Sequence, residues 1–571
     1  MHLTGFLAFC ALLAASLAAS LGQQPFSSNS LDEEAPILNA GLDAAIQEIL
    51  AEFKSPGGAG VAVARKTAAG TWRLESKGYG NATGAGDKVD EHTLFSIGSN
   101  SKLFDVLATG LLISNETLSP RILWNSKVAS IVPGWKLADP VATSESTIVD
   151  IMSHRTGLPR HDLMEGWEDG VEDIIARLQY LRPSAGFREL AQYNNHMYTV
   201  LSSFPKTLVD TPFEQYVHDN IFVPFGLNAT TYFYADAVAT GRLADGFTRQ
   251  DANLTHDPFD QGTVRVLPYW DQSSTHAISG AGGVISSAHD MAIWLQALLQ
   301  EGTNQANETV IPASVIQKVA TGVTVYFPIA RYPELSPGVY GGGQLRGTYR
   351  GFGLRGHTVR SMPHLFQHGG AAPGFKSQVA RFPSENFGVA VLTNDEELGA
   401  SIRESIKYRI VDEVLSLHPY IDWTARYREQ VAAAVPPPSI PRSKDAAPPS
   451  VPYTALAGKY HNAGYRSLDF CLFWHNATHV PMLIARHDTG AGNHLRLSHY
   501  EGDKFNVTVL NVLDGDAPWV RKTDQFEAEF EVDGEDVGFA LIGVWGPGQG
   551  AEPLQGETVR ERAEVWFSKM E

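Results

Sequence analysis

The 571-residue sequence contains very little cysteine and comparatively few basic residues. Its two cysteines are Cys10 and Cys471. Because Cys10 lies in an N-terminal segment that we expect to be removed, the mature chain would keep one thiol and no internal disulfide. Lys and Arg number 44 against 63 Asp and Glu, which gives a formal net charge of -19. Nucleic-acid binding depends on clustered Lys and Arg, so this charge disfavours nucleic acid as a partner.

The sequence also lacks a hydrophobic run long enough to cross a membrane. The apolar stretch from Phe6 to about Ala18 is too short for a bilayer and is followed by small residues, as in a secretory signal peptide. We therefore predict a signal peptide over residues 1–22, a secreted protein and no membrane span. Asn-x-Ser/Thr sequons fit a glycosylated secretory protein. The seven sequons are Asn81, Asn115, Asn228, Asn253, Asn307, Asn476 and Asn506.

The chain shows no fixed-period repeat, which disfavours a solenoid or a propeller. Proline is dense over residues 434–452, and this density predicts an extended linker between two domains. We place a first domain at residues 36–430 and a second at 453–571. In the second domain Cys471 lies in an apolar, strand-like run, which predicts a buried structural thiol.

Hydrophobic periodicity predicts the fold class of each domain. In the first domain, residues 58–66 with 71–80 and the two halves of 377–395 have strand patterns, and helical spacing lies between them. This order predicts an α+β domain with one antiparallel sheet flanked by helices. In the second domain, apolar residues alternate with glutamates from Phe526 to a turn at Asp533, which predicts a hairpin in an all-β sandwich or barrel.

The segment with the clearest chemical potential begins at Ser99. Ser99 and Lys102 lie one turn apart at the start of a predicted helix whose apolar face includes Leu103, Val106 and Leu107. A serine becomes a nucleophile when a base removes its proton, and lysine can be that base where burial keeps it neutral. The helix N-terminus would also direct free N–H groups at a developing oxyanion. A Ser-x-x-Lys tetrapeptide alone is weak evidence, because about one match is expected by chance.

Two further motifs follow in order along the chain. Tyr193 and Asn195 form a Tyr-x-Asn motif, and His368-Gly369-Gly370 stands immediately before a predicted strand. Ser-x-x-Lys, Tyr-x-Asn and His-x-Gly in this order resemble the serine β-lactamase and penicillin-binding protein superfamily, in particular its class C-like and esterase members. The resemblance extends over roughly residues 40–420.

The resemblance implies a two-step acyl transfer. Ser99 would attack an ester or amide carbonyl, while Lys102 and Tyr193 transfer its proton and that of the leaving group. Lys102 would lower the pKa of the Tyr193 phenol so that it can relay a proton. Asn195 would hold either Lys102 or a substrate carbonyl through its amide. The backbone N–H groups of Ser99 and Ala371 would form the oxyanion hole.

The third motif is expected on an edge strand that binds substrate. Gly369 and Gly370 would let substrate approach this strand closely. His368 stands where many β-lactamases and transpeptidases carry lysine. A mostly neutral imidazole gives less positive charge for binding a carboxylate, which weakens the interpretation as an antibiotic hydrolase.

Signatures of other enzyme classes are missing from the sequence. It contains no Gly-x-Ser-x-Gly elbow, no His-Glu-x-x-His helix and no glycine-rich phosphate loop that opens a helix. His154 and His161 do not have the spacing of metal ligands, so we predict that their loop supports the wall of the active site. We expect neither a metal nor a cofactor.

Three functions remain open at this point. The first is a secreted serine acyl hydrolase that acts on a small-molecule ester, amide or lactam. The second is an acyltransferase or cyclase, in which a water-poor site passes the acyl group to an alcohol or amine. The third is an inactive binding relative, which the complete set of motifs disfavours. The C-terminal domain would cap the cleft, mediate dimerisation or stabilise the chain, and the oligomeric state does not follow from the sequence.

Overall fold

A computed structural model describes most of the chain. The described residues are 35–254, 256–270, 277–350, 364–434, 440–474, 480–489, 492–513, 519–534, 536–545 and 551–570. The predicted signal peptide at 1–22 and the sequon at Asn476 lie outside these residues.

The described residues form twenty strands. They are β1 Gly58–Lys66, β2 Trp72–Gly80, β3 Leu94–Ser96, β4 Gly246–Gln250, β5 Thr263–Leu267, β6 Ile285–Ser287, β7 Thr324–Phe327, β8 Gly338–Tyr340, β9 Leu345–Thr348, β10 His364–Ala372, β11 Phe375–Phe382, β12 Phe387–Thr393, β13 Gly458–Asn462, β14 Arg466–Trp474, β15 Pro481–Thr489, β16 Gly492–Glu501, β17 Lys504–Leu513, β18 Trp519–Asp533, β19 Asp536–Ile542 and β20 Val565–Lys569. Eight strands form an antiparallel sheet in the order β2-β1-β12-β11-β10-β9-β8-β7, and β13 to β20 form a closed antiparallel barrel.

The helices of the described residues lie mainly before β10 and after β12. They are α1 Ala40–Glu52, α2 Ser101–Ser114, α3 Pro140–Glu145, α4 Ile148–Met152, α5 Val171–Arg177, α6 His196–Ser202, α7 Phe204–Val209, α8 Phe213–Val217, α9 Val223–Phe225, α10 Tyr234–Ala239, α11 Ser279–Gly282, α12 Ala288–Leu299, α13 Ala313–Val319, α14 Gly399–Val414, α15 Trp423–Ala433, α16 Tyr453–Leu456 and α17 Val559–Arg562. None of these helices has both the length and the apolar composition that crossing a bilayer requires.

The large sheet is buried on both faces. Val61 and Val63 of β1 face a core shared with α1 and α14, whereas Ala62 and Ala64 face the core that contains α2 and α12. Successive side chains of a strand point to opposite faces, so an apolar run such as this one is stable only between two helical layers. The structure therefore confirms the expected α+β domain with an antiparallel sheet flanked by helices.

Helix α2 lies in the centre of the catalytic domain. Twelve of its residues are buried, and these include the polar Lys102 and Asp105 as well as the apolar side chains. Phe104 stacks on Trp294 of α12 with ring centroids 4.4 Å apart. The helix that follows Ser99 is thus fixed on every side by packing.

The C-terminal domain is a barrel, which resolves the choice between sandwich and barrel. Its interior contains aromatic rings such as Phe539 and Phe567, which stack at 4.9 Å. The predicted hairpin is confirmed, since β18 pairs with β19 up to Asp533. The prediction for Cys471 is wrong, because its thiol is exposed. The neighbouring Phe470 points into the barrel, so strand alternation turns Cys471 outward.

The described part of the predicted linker, residues 440–452, contains neither helix nor strand. It lies against the barrel, where the Ile440 backbone exchanges two hydrogen bonds of 3.0 Å with the Asn506 side chain. The chain therefore passes along the outside of the barrel before it enters β13.

Candidate active site

Ser99 lies in a short turn where β10 touches the start of α2. The turn is a single 3-10 helix, Gly98–Asn100, that leads into α2. Gly98 has a φ of +50°, and a Cβ at this position would lie 2.7 Å from the backbone nitrogen of Ala371. Glycine is therefore required both by the left-handed backbone and by the close approach. As a result, Ser99 and Ala371, the expected oxyanion-hole residues, lie on adjoining backbone segments.

Lys102 is fully buried and points at Ser99. Its Nζ lies 3.2 Å from Ser99 Oγ, and it donates to Asn195 Oδ1 at 2.8 Å and to the Ala281 carbonyl oxygen at 2.7 Å. A neutral amine has two N–H donors and one lone pair. Asn195 and Ala281 take both donors, which leaves the lone pair for the proton of the Ser99 hydroxyl.

The electrostatic surroundings of Lys102 favour its neutral form. Burial lowers the pKa of Lys102 well below 10.5, and the positive charge of Arg160 lowers it further, against the opposing effect of Asp162. The three groups in hydrogen-bond contact with Nζ carry no full charge. The direction of this shift agrees with the expectation of a base-competent lysine.

Tyr193 completes the group around Ser99. Nζ of Lys102 lies 4.9 Å from the centre of the Tyr193 ring, and the Tyr193 hydroxyl interacts with the Ser99 side chain. Burial raises the pKa of the Tyr193 phenol, so the expectation that Lys102 lowers it is wrong. A neutral amine has no charge with which to stabilise a phenolate. Tyr193 is thus a protonated phenol at neutral pH and can donate its proton.

Asn195 holds Lys102, which is one of the two roles expected for it. Its Nδ2 donates to Asp162 Oδ1 at 3.2 Å, while its Oδ1 accepts from Lys102. Asp162 is in turn paired with Arg160 at 2.7 Å. Because an amide has one donor end and one acceptor end, the contact with Asp162 directs the Asn195 oxygen towards Lys102.

The third motif lies inside β10 rather than before a strand, and β10 is not an edge strand. Strand β9 pairs with residues 364–367 of β10, whereas β11 pairs with residues 366–372. The expectation of an edge strand is wrong because β7, β8 and β9 extend the sheet beyond β10. Within the described residues, the segment 368–372 still has one unpaired edge.

His368 and its glycines pack against protein atoms. The buried His368 ring lies 3.0 Å from the Tyr340 hydroxyl through Nε2, and burial lowers its pKa to about 3. A Cβ at Gly370 would collide with the carbonyl oxygen of Ile97, so glycine is needed there for close packing of β10. The roles of His368 and Gly370 in substrate binding stay predictions.

A cleft of about 440 Å³ opens at Ser99 and Asn195. Apolar side chains, among them Leu267, Trp270 and Ile278, line one part of it. Its charged side chains come from three parts of the chain. They are Arg160, Asp162 and Glu165 before α5, Lys376 and Glu396 around β11 and β12, and Arg521 and Asp524 of β18.

The barrel forms part of the wall of this cleft. Asn511, Arg521, Thr523 and Asp524 of β17 and β18 line it. Arg521 forms an ion pair with Glu396, whose other carboxylate oxygen lies 2.6 Å from Lys376 Nζ. The barrel therefore contributes residues to the cleft wall, and its role in capping, dimerisation or stabilisation stays a prediction.

The loop with His154 and His161 supports the site, as predicted. The His154 ring lies 4.3 Å from the Tyr193 ring. Nδ1 of His161 lies 2.7 Å from the Tyr465 hydroxyl of the barrel. Within the described ranges, no group of three His, Cys, Asp or Glu side chains is arranged to hold a metal ion.

Sequence reasoning missed several residues of the site. Arg160 and Asp162 flank His161, and two opposite charges beside a supporting histidine were a signal that could have been followed. Ala281 contributes a backbone carbonyl, which no side-chain motif reveals. Arg521 and Asp524 lie in a different domain, so no local pattern links them to Ser99.

Comparisons with known proteins agree with this geometry. A family model described as Beta-lactamase matches residues 42–410. An unguisins hydrolase of Aspergillus violaceofuscus is 28% identical over 514 residues, which cover 84% of this chain and 85% of the relative. A second unguisins hydrolase, from Aspergillus campestris, is 27% identical and covers 90% of both chains. The structure of the octameric penicillin-binding protein homologue from Pyrococcus abyssi is 18% identical, with a TM-score of 0.52. The match covers 93% of this chain and 99% of that chain. At this identity it supports the fold alone.

Proposed function

Because the chain belongs to the beta-lactamase family and is a serine hydrolase of that superfamily, we propose that it works through an acyl-enzyme on Ser99. One observation carries the proposal. Both N–H donors of a neutral Lys102 are taken by Asn195 and Ala281, and its Nζ lies 3.2 Å from Ser99 Oγ. This arrangement supports Lys102 as the base that accepts the serine proton.

In the acylation step, Ser99 Oγ transfers its proton to Lys102 Nζ and attacks the substrate carbonyl carbon. The N–H groups of Ser99 and Ala371 stabilise the negative oxygen that develops. Tyr193 donates its proton to the leaving oxygen or nitrogen as the carbonyl–leaving-group bond breaks, and Lys102 then returns a proton to Tyr193. General acid–base catalysis of this kind typically contributes about 10²–10⁴-fold to a rate.

In the deacylation step, water attacks the acyl carbon of the ester on Ser99. The deprotonated amine of Lys102, or a Tyr193 phenolate formed transiently, accepts the water proton, and Ser99 Oγ leaves with a proton returned from the same pair. The products are the free acid and the regenerated serine. The same two residues therefore act in both steps, in opposite directions.

The cleft supports a small-molecule amide, ester or lactam as substrate. A volume of about 440 Å³ lies in the range of pockets that bind drug-sized ligands. The buried, neutral His368 offers little positive charge for the carboxylate of a β-lactam. Since both Aspergillus relatives are unguisins hydrolases and align over most of this chain, we propose unguisins as the first substrates to test.

A second candidate is transfer of the acyl group to an alcohol or amine. It is favoured by Arg521 and Asp524 of the barrel, which add a second wall to the cleft, because a narrower site limits the entry of water. Product analysis in the presence of an added amine distinguishes the two. Formation of the amide in place of the acid would favour transfer.

We also propose that the protein is secreted and glycosylated. The signal-peptide pattern of residues 1–22 supports secretion. Three sequons, Asn228, Asn253 and Asn307, are exposed in the structure and so are open to glycosylation.

Covalent labelling tests the acyl-enzyme directly. A fluorophosphonate or a penicillin should add one mass increment to the peptide that contains Ser99. S99A should take up no label, and K102A should label far more slowly while its circular dichroism spectrum stays unchanged. Label on another residue, or hydrolysis by S99A at the wild-type rate, would overturn the assignment.

A further inference from the structure

Strand β18 contains an irregularity where it reaches the cleft. Val509 of β17 pairs with Asp524, and the next residue, Leu510, pairs with Lys522. Thr523 is therefore an extra residue without a partner on β17, which defines a β-bulge.

The bulge changes which side chains of β18 face the cleft. In a regular strand, residues 521 and 524 point to opposite faces. With the extra residue between them, Arg521, Thr523 and Asp524 all line the cleft, and Lys522 is not among the lining residues. The bulge thus adds a carboxylate to the cleft wall.

The three cations of the cleft wall are paired with two of its four carboxylates, and a third, Glu165, lies 3.8 Å from His196 Nδ1. The cations are Arg160, Lys376 and Arg521, and the carboxylates are Asp162, Glu165, Glu396 and Asp524. Arg160 is paired with Asp162, and Lys376 and Arg521 are both paired with Glu396. Asp524 forms no hydrogen bond or ion pair with another residue that the structure describes, although Asp162 and Arg160 lie near enough to affect its charge.

From this arrangement we propose that Asp524 determines specificity by binding a cationic group of the substrate, a protonated amine or a guanidinium. This inference rests on the proposed function of the Ser99 site. Asp524 stands on the barrel wall, and Asp162 stands on the loop of the catalytic domain that faces it. Asp524 is exposed to the open cleft and has no ion-pair partner among the described residues, so a cationic group that enters between the two walls can form a charge-assisted hydrogen bond with it.

Matched substrates test this proposal. The panel consists of p-nitrophenyl esters whose acyl group carries either a lysine or the uncharged norleucine, and of alkyl esters whose leaving alcohol carries an aminobutyl or a butyl chain. We expect wild-type kcat/KM to be about three- to fivefold higher for the cationic member of at least one pair, as for an ion pair with an exposed carboxylate. D524N should bring that ratio close to one, and D524K should turn it in favour of the neutral member. D533N, on the exposed end of the same strand, is the matched control and should keep the wild-type ratio.

Active-site titration with a fluorophosphonate separates this inference from the function on which it rests. If Ser99 is labelled and the wild-type enzyme shows no preference within any pair, the assignment of Asp524 is wrong and the acyl-enzyme stands. If D524N keeps the wild-type ratio, the assignment is equally wrong. Should Ser99 remain unlabelled, the proposed function fails first, and the assignment fails with it.

Discussion

Lys102 Nζ and Asn195 Oδ1 lie 2.8 Å apart, and this contact joins segments 93 residues apart in the chain. The Asn195 amide is held in place because its Nδ2 donates to Asp162 at 3.2 Å. An amide oxygen takes up one N–H of Lys102 without bringing a full negative charge to it. The contact therefore orients the amine and still leaves it neutral, which a carboxylate at the same position would not do.

Replacing Asn195 by alanine should reduce kcat without unfolding the protein. Lys102 would lose the acceptor that aims its lone pair at Ser99, and a displacement of about 1 Å at a reacting group can cost about 10²-fold in rate. Single-turnover acylation of Ser99 by a p-nitrophenyl ester measures this loss. Asn220→Ala, an exposed asparagine, serves as control and should keep the wild-type rate. Wild-type acylation by N195A would show that Asn195 has no part in positioning Lys102.

Replacing Arg160 by glutamine should move the pH dependence of activity to higher pH. The positive charge of Arg160 lowers the pKa of Lys102, and its loss also leaves the negative charge of Asp162 uncompensated. Both changes favour the ammonium form, so the pKa of Lys102 rises. Activity requires the free amine, so the pH below which kcat/KM falls should be higher in this variant than in the wild type. The control is R155Q, because Arg155 lies in the same loop but is paired with Asp150; its pH profile of kcat/KM should match that of the wild type. A wild-type pH profile in R160Q would contradict the prediction.

The effect of Tyr193→Phe should depend on the leaving group. Because burial keeps Tyr193 protonated, its task is to donate a proton as the leaving group departs. An alkyl ester or amide needs that proton and should lose about 10²–10⁴-fold in kcat/KM, whereas p-nitrophenolate leaves without it and should lose much less. Rates for the two substrate types are compared in wild type and Y193F. An equal loss for both would exclude Tyr193 as the general acid.

Hydrophobic periodicity and short motifs predicted the strands, helices and candidate catalytic residues of the first domain well, because these features depend on residues that are close in sequence. The apolar run of β1 and the apolar face of α2 are visible in the sequence, and so is the spacing of Ser99 and Lys102. Burial of Lys102 was expected as well, because the helix that carries it packs an apolar face against the core. These features depend on residues within one or two turns of each other.

Features that depend on hydrogen bonding between strands far apart in the sequence could not be predicted from local patterns. The barrel closes where Tyr460 of β13 pairs with Lys569 of β20, and no local signal marks that pairing. The internal position of His368 depends on the addition of β7, β8 and β9 to the sheet. The outward direction of Cys471 follows from the register of β14 in the barrel, which a mostly apolar segment does not reveal.

Glycosylation should be uneven among the sequons that the structure describes. Asn228, Asn253 and Asn307 are exposed, whereas Nδ2 of Asn81 donates to the Pro56 carbonyl at 3.1 Å and Nδ2 of Asn506 donates to the Ile440 carbonyl at 3.0 Å. Nδ2 is the atom that carries the glycan, so these two bonds would have to break. We expect high occupancy at the three exposed sites and low occupancy at Asn81 and Asn506, measured by glycopeptide mass spectrometry of protein secreted from a eukaryotic host. High occupancy at Asn506 would contradict this prediction.

Replacing Asp169 by alanine should loosen the barrel and weaken substrate binding more than chemistry. Asp169 forms ion pairs with Arg177 of the catalytic domain and with Arg466 of the barrel, and it accepts a hydrogen bond from the Gly166 backbone at 2.7 Å. Removing a buried partner of this kind typically costs about 3–5 kcal/mol, less here because Arg466 is partly exposed. KM should rise while kcat changes little, since the barrel lines the cleft but Lys102 and Tyr193 do not contact Asp169. Faster proteolysis within residues 434–452 should accompany the change. Asp210 is exposed and, among the described residues, pairs with Lys206, so the D210A variant should show neither effect. A fall in kcat at constant KM would show that the barrel acts on the chemical step instead of on binding.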